Sequence, residues 1–287
     1  MYDLVSLVKR NTLAFLRDKA AVFFSFLSVI ILLALYFLFI GRQYTQGLDM
    51  LTDEVKTYLS ISVIMGGVLV INTMSLALGV MGNIITDLQF KRIDAFLVTP
   101  IKRYKIILSY YLTSIMLTSV LTLLMWLLTV IYVGATSGYW YNFITILSVS
   151  GLLVFYTFIS ASIMIFITTI LKSVNAFGAL SGILGTFVGF ISGIYMPLSI
   201  LPKSMVYVSS IVPFTHMTIL LKQVMLKGPY ALLPTQARES VSEFYGTREV
   251  GIFGMDVPMI YLMIGSFLIS VLLLYFAYRN MSKKMTK

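Results

Sequence analysis

Five stretches of this chain carry no Asp, Glu, Lys or Arg: Ala20–Ile40, Thr57–Thr86, Ile106–Leu171, Ser173–Pro202 and Val257–Tyr278. About 20 consecutive apolar residues suffice for a helix to cross a hydrocarbon core about 30 Å thick. Each stretch is therefore long enough to span a membrane, and the third is far too long for one crossing. It divides at Gly134–Asn142, GATSGYWYN, where glycines, Ser137 and Asn142 offer a short turn between interfacial aromatics. The result is six predicted spans: Ala20–Ile40, Tyr58 to about Met81, Ile106–Val133, Ile144–Leu171, Ala176–Tyr195 and Val257–Tyr278. With 59% hydrophobic residues, 11% charged residues and a mean hydropathy of +0.95, the composition excludes a soluble domain. The first run is too long for a signal peptide and lacks a small-residue cleavage site, so none is expected.

Basic residues predict the orientation. With the N-terminus inside, the inner segments hold 14 of the 21 Lys and Arg and four acids, Asp3, Asp18, Asp87 and Asp94. The outer segments hold seven bases and seven acids, so the whole formal charge of +10 falls on the inner side. Bases flanking spans, not interleaved with exposed aromatics, point to anionic lipid headgroups and away from nucleic acid. Zero cysteines exclude disulfides, cysteine metal sites and thiol catalysis.

One segment fits neither a span nor a loop. Ile194–Gln223 is too apolar for a water-exposed connection, yet Pro197, Pro202 and Pro213 interrupt it. Irregular backbone at membrane depth survives only where protein or a water-lined cavity satisfies it. The expected form is a helical hairpin dipping back into the outer side of the membrane. Its His216 reads either as part of that device or as a hydrogen-bonded structural residue. At the other end of the chain, Leu4, Leu7, Val8, Leu13 and Leu16 recur at helical spacing among basic and polar residues. Residues 1–19 are thus expected to form an amphipathic helix on the inner membrane surface, the alternative being a plain basic leader.

The chain has no glycine-rich loop of the type that cradles nucleotide phosphates, and one histidine with few acids leaves nothing for acid–base or metal catalysis. The predicted spans lack the ionisable groups through which ion-coupled carriers work. Energy is then expected from outside the chain, by way of the one sizeable inner loop, residues 82–105. There Asp87, Lys91, Arg92, Asp94, Lys102, Arg103 and Lys105 surround Leu88, Phe90, Ile93, Phe96 and Leu97. A helix from about Thr86 to Val98, ended by Thr99-Pro100, would offer one apolar and one charged face to a partner. The alternative is a solvated loop whose charges stop translocation.

Arg92, then Phe96-Leu97-Val98-Thr99-Pro100, then Arg103, leading into a hydrophobic span, resembles the signature of ABC-2 type transporter permeases. Ser192-Gly193-Ile194-Tyr195-Met196-Pro197-Leu198, Leu201-Pro202 and Val212-Pro213-Phe214-Thr215-His216 are similar to the run that ends the family's fifth span. At Asp94-Ala95 the chain departs from the glycine that many relatives carry nearby. The resemblance extends over the whole chain and implies one membrane domain, residues 1–287. The implied fold is all-α, with six transmembrane helices, both termini cytoplasmic, an amphipathic N-terminal helix, a coupling helix between spans two and three and a re-entrant hairpin within residues 196–257.

The same resemblance implies the permease subunit of an ATP-driven exporter of a hydrophobic or amphipathic substrate, such as a drug, lipid, glycolipid or peptide. Its partners would be an ABC ATPase subunit in two copies, holding ATP and Mg, and a second permease, identical or a sister chain, in a bacterial cytoplasmic membrane. Asp87, Arg92, Asp94, Thr99, Pro100 and Arg103 would form or brace the ATPase contact, and Pro197, Pro202, Pro213 and His216 the outer gate. Spans two and five would line the path, which points to Asn72, Thr73, Gly185, Gly189 and Gly193. The glycines at 178, 182, 185, 189 and 193 serve equally for packing within one subunit. Asn72 serves equally as an interhelical hydrogen-bond partner. The rival classes are an ATP-independent channel or carrier, and a membrane immunity or sensor protein.

Overall fold

The computed structural model describes residues 2–23, 26, 27, 30, 51–171, 173–195, 197–234, 238, 241, 242, 244–247, 255 and 257–284. Its elements are all helices. They are α1 (Tyr2–Arg17), α2 (Asp53–Gln89), α3 (Asp94–Leu97), α4 (Arg103–Ser137) and α5 (Phe143–Ile170), followed by α6 (Val174–Ile191), a 3₁₀ turn (Leu198–Ile200), α7 (Lys203–Ser209), α8 (Pro213–Ala231) and α9 (Met259–Lys284). Among the described residues five helices, α2, α4, α5, α6 and α9, are long and apolar enough to cross a membrane. The pair α7 and α8, bent by 93°, makes up to six. The predicted first span, residues 20–40, lies largely outside the described residues.

The protein is organised around α2. Its sequence is apolar on all sides, the signature of a helix buried in a bundle, and 89% of its most apolar window is buried. It packs against α4, α5, α8 and α6. In lipid, helices gain little by hiding apolar surface from one another, so small residues and interhelical hydrogen bonds hold them. Here Ser62 Oγ meets Tyr141 OH at 2.7 Å, Thr73 Oγ1 meets Ser160 Oγ at 2.9 Å, and Asn72 Nδ2 donates to Thr122 Oγ1 at 3.3 Å. Tyr111 OH and Ser162 Oγ, 2.8 Å apart, tie α4 to α5. At the end of the bundle where α2 begins, Tyr58 stacks on Tyr139, and Tyr141 sits between Tyr58 and Trp126. The turn expected at Gly134–Asn142 is shorter, because α4 continues to Ser137. Gly138 takes the left-handed conformation at φ 71°, and the Asn142 side chain accepts from Ile144 N.

Glycines set the levels at which α6 and α8 meet α2. A side chain at Gly66 would meet the Lys222 backbone, with its Cβ 3.2 Å from Cα. At Gly67 the neighbour is Ile194, at Gly82 the Phe177 ring, and at Gly228 the Tyr58 hydroxyl. Both α6 and α8 therefore run antiparallel to α2. Lys222 lies beside Gly66, and α6 ends beside Gly67. The nine steps from Pro213 to Lys222, at about 1.5 Å each, place the start of α8 roughly 13 Å deeper along α2 than the end of α6. The chain goes back down before it rises again.

Gly66→Val forces the close crossing of α2 and α8 apart. We expect a loss of about 1–3 kcal/mol, read as a lower melting temperature of the detergent-solubilised protein.

Candidate functional site

α2 extends to Gln89 and is then stopped, so the predicted single helix from about Thr86 to Val98 does not form. The last turn closes as a Schellman motif: Lys91 N donates to Leu88 O at 3.2 Å and Arg92 N to Asp87 O at 2.8 Å. That motif needs a left-handed residue after the C-cap. Lys91 occupies the position at φ 54°, where glycine is usual. After this reversal only α3, four residues long, remains helical. Thr99 Oγ1 donates to Phe96 O at 2.6 Å, and Pro100 follows directly. Propensity and the Thr-Pro stop were legible in the sequence. A turn made with lysine in place of glycine was not.

This turn carries a buried carboxylate. Asp87 is 3% exposed. Its Oδ2 accepts from the Arg10 guanidinium of α1 and, at 2.6 Å, from Tyr110 OH of α4. Its Oδ1 lies 3.7 Å from the Arg92 guanidinium. Arg10 also donates to Asn11 Oδ1 at 2.9 Å and to Tyr110 OH at 3.2 Å, and its guanidinium lies over the Phe96 ring at 5.3 Å. The hydrogen bond to Asp87 holds the Arg10 guanidinium even further above its ordinary value. Asn11 Nδ2 donates to Ser109 Oγ at 3.1 Å, and Lys105 Nζ to Asp3 Oδ2 at 2.7 Å. The polar side of α1 is thereby stitched to the start of α4 and, through Asp87, to the end of α2. On the next side of the turn, Gln89 Oε1 accepts from Val174 N at 2.7 Å, at the start of α6.

Of the residues assigned to this site, Asp87 and Arg92 are brought together. Asp94, Thr99, Pro100 and Arg103 follow along the same connection, and among the described residues Asp94 and Arg103 enter no ion pair. Arg92 faces Asp87, not Asp94. Arg10 and Tyr110 were missed: Arg10 is indistinguishable by pattern from the other bases near the N-terminus, and Tyr110 from any tyrosine near the start of a span.

The broken segment lies at the other end of α6. Gly193 takes φ +70°, and a Cβ there would meet Leu198 Cγ at 2.8 Å. The reversal folds Tyr195 back along α6. Its ring fills the space at Gly189, packs edge-on against Phe190 at 5.1 Å, and its hydroxyl donates to Gly185 O at 3.4 Å. Each proline begins a helical piece: Pro197 precedes the 3₁₀ turn, Pro202 caps α7, and Pro213 is the first residue of α8. His216 bonds Ser210 O through Nε2 at 2.7 Å across the bend, and among the described residues its Nδ1 has no partner.

The residues assigned to a path divide into three groups, of which one, Gly189 and Gly193, is closed off by Tyr195 and Leu198. Asn72 and Thr73 are fully buried against α4 and α5, closed off within the single chain. Along α6, Gly185 faces open space, as do Gly178 and Gly182. Of α6's apolar window only 17% is buried. Beside it, α6 and α7 form a groove of about 570 Å³, lined by Ile183, Thr186, Phe187, Phe190, Leu201 and Met205 among others.

Charge counting placed Lys222 with the outer bases. The structure buries it to 3% on α8, its Nζ donating to Gly193 O at 2.8 Å. The available signal was its spacing from Thr215 and Thr218, which puts three polar residues on one face of an apolar helix.

The profile of the ABC-2 type transporter family matches residues 2–226. The chain belongs to the ABC-2 type transporter family. It is a multi-pass membrane protein and the transmembrane component of an ABC transporter, a transport subunit and not itself the ATPase. Comparison with curated proteins finds no match.

Removing the Asp87 charge leaves Arg10, Arg92 and Tyr110 around a group that can no longer neutralise them. Asp87→Asn should cost about 1–3 kcal/mol, whereas Lys91→Gly should gain about 1 kcal/mol by relieving the left-handed residue. Both are read by thermal unfolding in detergent. The hydrogen bond from Lys105 holds Asp3 below its ordinary value of 3.8. Its contribution to α1 docking is present above that value and is lost as pH falls through the lowered one. Hydrogen exchange in α1 should rise in that acid window, and Asp3→Asn should abolish the step.

Proposed function

We propose that this chain is the permease half of an exporter that moves a hydrophobic or amphipathic molecule outward across a bacterial cytoplasmic membrane. Two permeases, identical or sister chains, pair with two copies of an ABC ATPase that binds ATP and Mg. The observation that carries this reading is the side of α6 that has no partner among the described residues. A spanning helix that is mostly exposed, with open glycines and an apolar groove beside it, suits close approach by a second subunit and a path that accepts apolar surface.

The end of the bundle bearing α1, α3 and Asp87 faces the cytoplasm in this reading, in line with its bases. The ATPase engages the α3 connection, where exposed Arg92, Asp94 and Arg103 present charge beside the fixed Asp87 turn. The α1 helix lies on the inner membrane surface, its bases toward anionic headgroups. The segment from Gly193 to α8 re-enters from the outer side and roofs the path, with Pro197, Pro202, Pro213 and His216 shaping the gate. The return of the chain to greater depth at α8, and the helix start at each proline, support this assignment. No charged residue stands among those lining the groove, which favours drugs, lipids, lipid-linked glycans or hydrophobic peptides over ions.

Affinity purification of the chain from its native membrane should retain an ABC ATPase. In proteoliposomes the complex should export a rhodamine dye or an NBD-labelled phospholipid at the expense of ATP. Recovery without an ATPase, together with ATP-independent flux of the same probes, overturns the reading. Charge reversal at Arg92 with Asp94 should leave insertion intact but uncouple hydrolysis from transport; transport at the wild-type rate removes the coupling assignment. Pro197→Ala with Pro202→Ala should raise basal leak of the dye.

A further inference from the structure

Helix α6 lies against the rest of the chain along one side, where Phe177 and Leu184 pack on the core, and among the described residues its hydrogen bonds to other helices lie at its two ends. Its middle glycines face open space, and only Val188, Gly189 and Ile191 of its residues are buried. Among the described residues two hydrogen bonds join α6 and its C-terminal turn to other helices. One is Val174 N to Gln89 Oε1, at 2.7 Å. The other is Lys222 Nζ to Gly193 O, at 2.8 Å. The first sits directly beside the Asp87 turn, the second at the broken segment. The 18 residues of α6, at about 1.5 Å each, separate the two by about 27 Å.

The Lys222 contact is built, not incidental. Gly66 leaves the space in which the Lys222 backbone and Cγ sit, so α8 approaches α2 closely enough to bury the side chain. Gly193, in the left-handed conformation, turns its carbonyl toward the ammonium at the C-terminal end of α6, where a cation is favoured by the helix dipole. The neighbouring carbonyls are already engaged: Val188 O takes Ser192 N, and Gly189 O takes Ile194 N and Tyr195 N. An ammonium has three donors. Among the described residues one acceptor is present, and the hydroxyls of Ser192, next to Gly193, and Thr218, one turn before Lys222, are buried without partners. Ionisable groups in such surroundings are costly and are kept for function more than for stability.

We infer that Lys222 is a positioning residue that pins the gate end of α6, as Gln89 pins its coupling end, and that release of the Lys222 pin lets α6 and the broken segment move together. This rests on the gate reading of that segment. The tie at Gln89 places the other end of the same helix within reach of any movement of the Asp87 turn. One rigid helix then links the two sites, with a single polar contact to be broken at each end.

The chain has no cysteine, so labels can be placed without background. Spin labels at Ile183→Cys on α6 and Leu128→Cys on α4, both exposed positions, report the distance between α6 and the body. The labelled chain is measured in nanodiscs, diluted with unlabelled chain. Wild type should give one narrow distance. Lys222→Met should give a second, separate population, and Lys222→Arg, which keeps a donor, should restore the single one. Should Lys222→Met fail to insert, Lys222→Leu, which also lacks a donor, is read by the same outcomes. A single wild-type distance in the uncharged variant overturns the pin. ATP-driven export of the rhodamine dye tests the link to the gate separately: a second population with unaltered export leaves the pin in place and overturns its role in transport, a failure of the gate reading alone.

Discussion

The structure depends on burying α2 completely inside a solvent that offers polar groups nothing. Lipid cannot replace a lost hydrogen bond, so α2 can be central only if its neighbours fit closely and take up most of its polar side-chain groups; among the described residues Asn72 Oδ1 and Asn83 Nδ2 are left without partners. Gly66 and Gly67 provide the close fit on the side of α8 and the α6 turn. Ser62, Asn72 and Thr73 provide the partners on the side of α4 and α5. These two sides divide the molecule. The α4 and α5 side is stitched by side-chain hydrogen bonds along its length. The side that carries α6 relies on shape, and α6 keeps most of its surface free.

The charged groups of the protein follow from that division. Asp87 belongs to α2 and Lys222 packs against it at Gly66, 21 steps earlier and about 32 Å along the helix. That distance is close to one hydrocarbon thickness. Each is buried, and each acts at the place where α2 meets a chain reversal: Asp87 at its own Schellman turn, Lys222 at the turn that ends α6. Between them α2 carries no charge. A buried charge costs least where unsatisfied backbone ends or counter-charges await it. Lys222 meets a free carbonyl at the C-terminal end of α6, and Asp87 meets Arg10 and Tyr110 brought to it from α1 and α4.

The spans were legible because apolar length and charge asymmetry are properties of composition. Tyr58, Ile106, Ile144, Ala176 and Val257 all fall within a few residues of helix starts at Asp53, Arg103, Phe143, Val174 and Met259. The broken segment was legible because proline has a fixed meaning in a helix: it can begin one, and Pro197, Pro202 and Pro213 each do. What stayed hidden was tertiary. The Thr86–Val98 helix was expected because its residues favour it. It is interrupted because Arg92 N and Ile93 N turn back on Asp87 O, a contact that forces Lys91 into a conformation no pattern assigns to lysine. Arg10 and Tyr110 converge on Asp87 from 77 and 23 positions away. Lys222 looked like an ordinary outer base because its burial is created by the missing side chain of Gly66, more than 150 positions earlier.

That last relation bears on how the two ends of the molecule communicate. A helix packed along its whole face would resist displacement at every turn, because interiors are close-packed and yield little. α6 is packed on one side only: among the described residues Gly178, Gly182 and Gly185 meet nothing on the open side, and its polar attachments lie at Gln89 and Lys222. Displacing it as a rod breaks two hydrogen bonds and lifts Phe177 and Ile194 from their seats at Gly82 and Gly67. Bending it would break the hydrogen bonds within it, which lipid could not replace. Rigid motion is therefore the cheaper response to a push at either end. The same openness that leaves room for a second subunit also leaves α6 free to carry that motion.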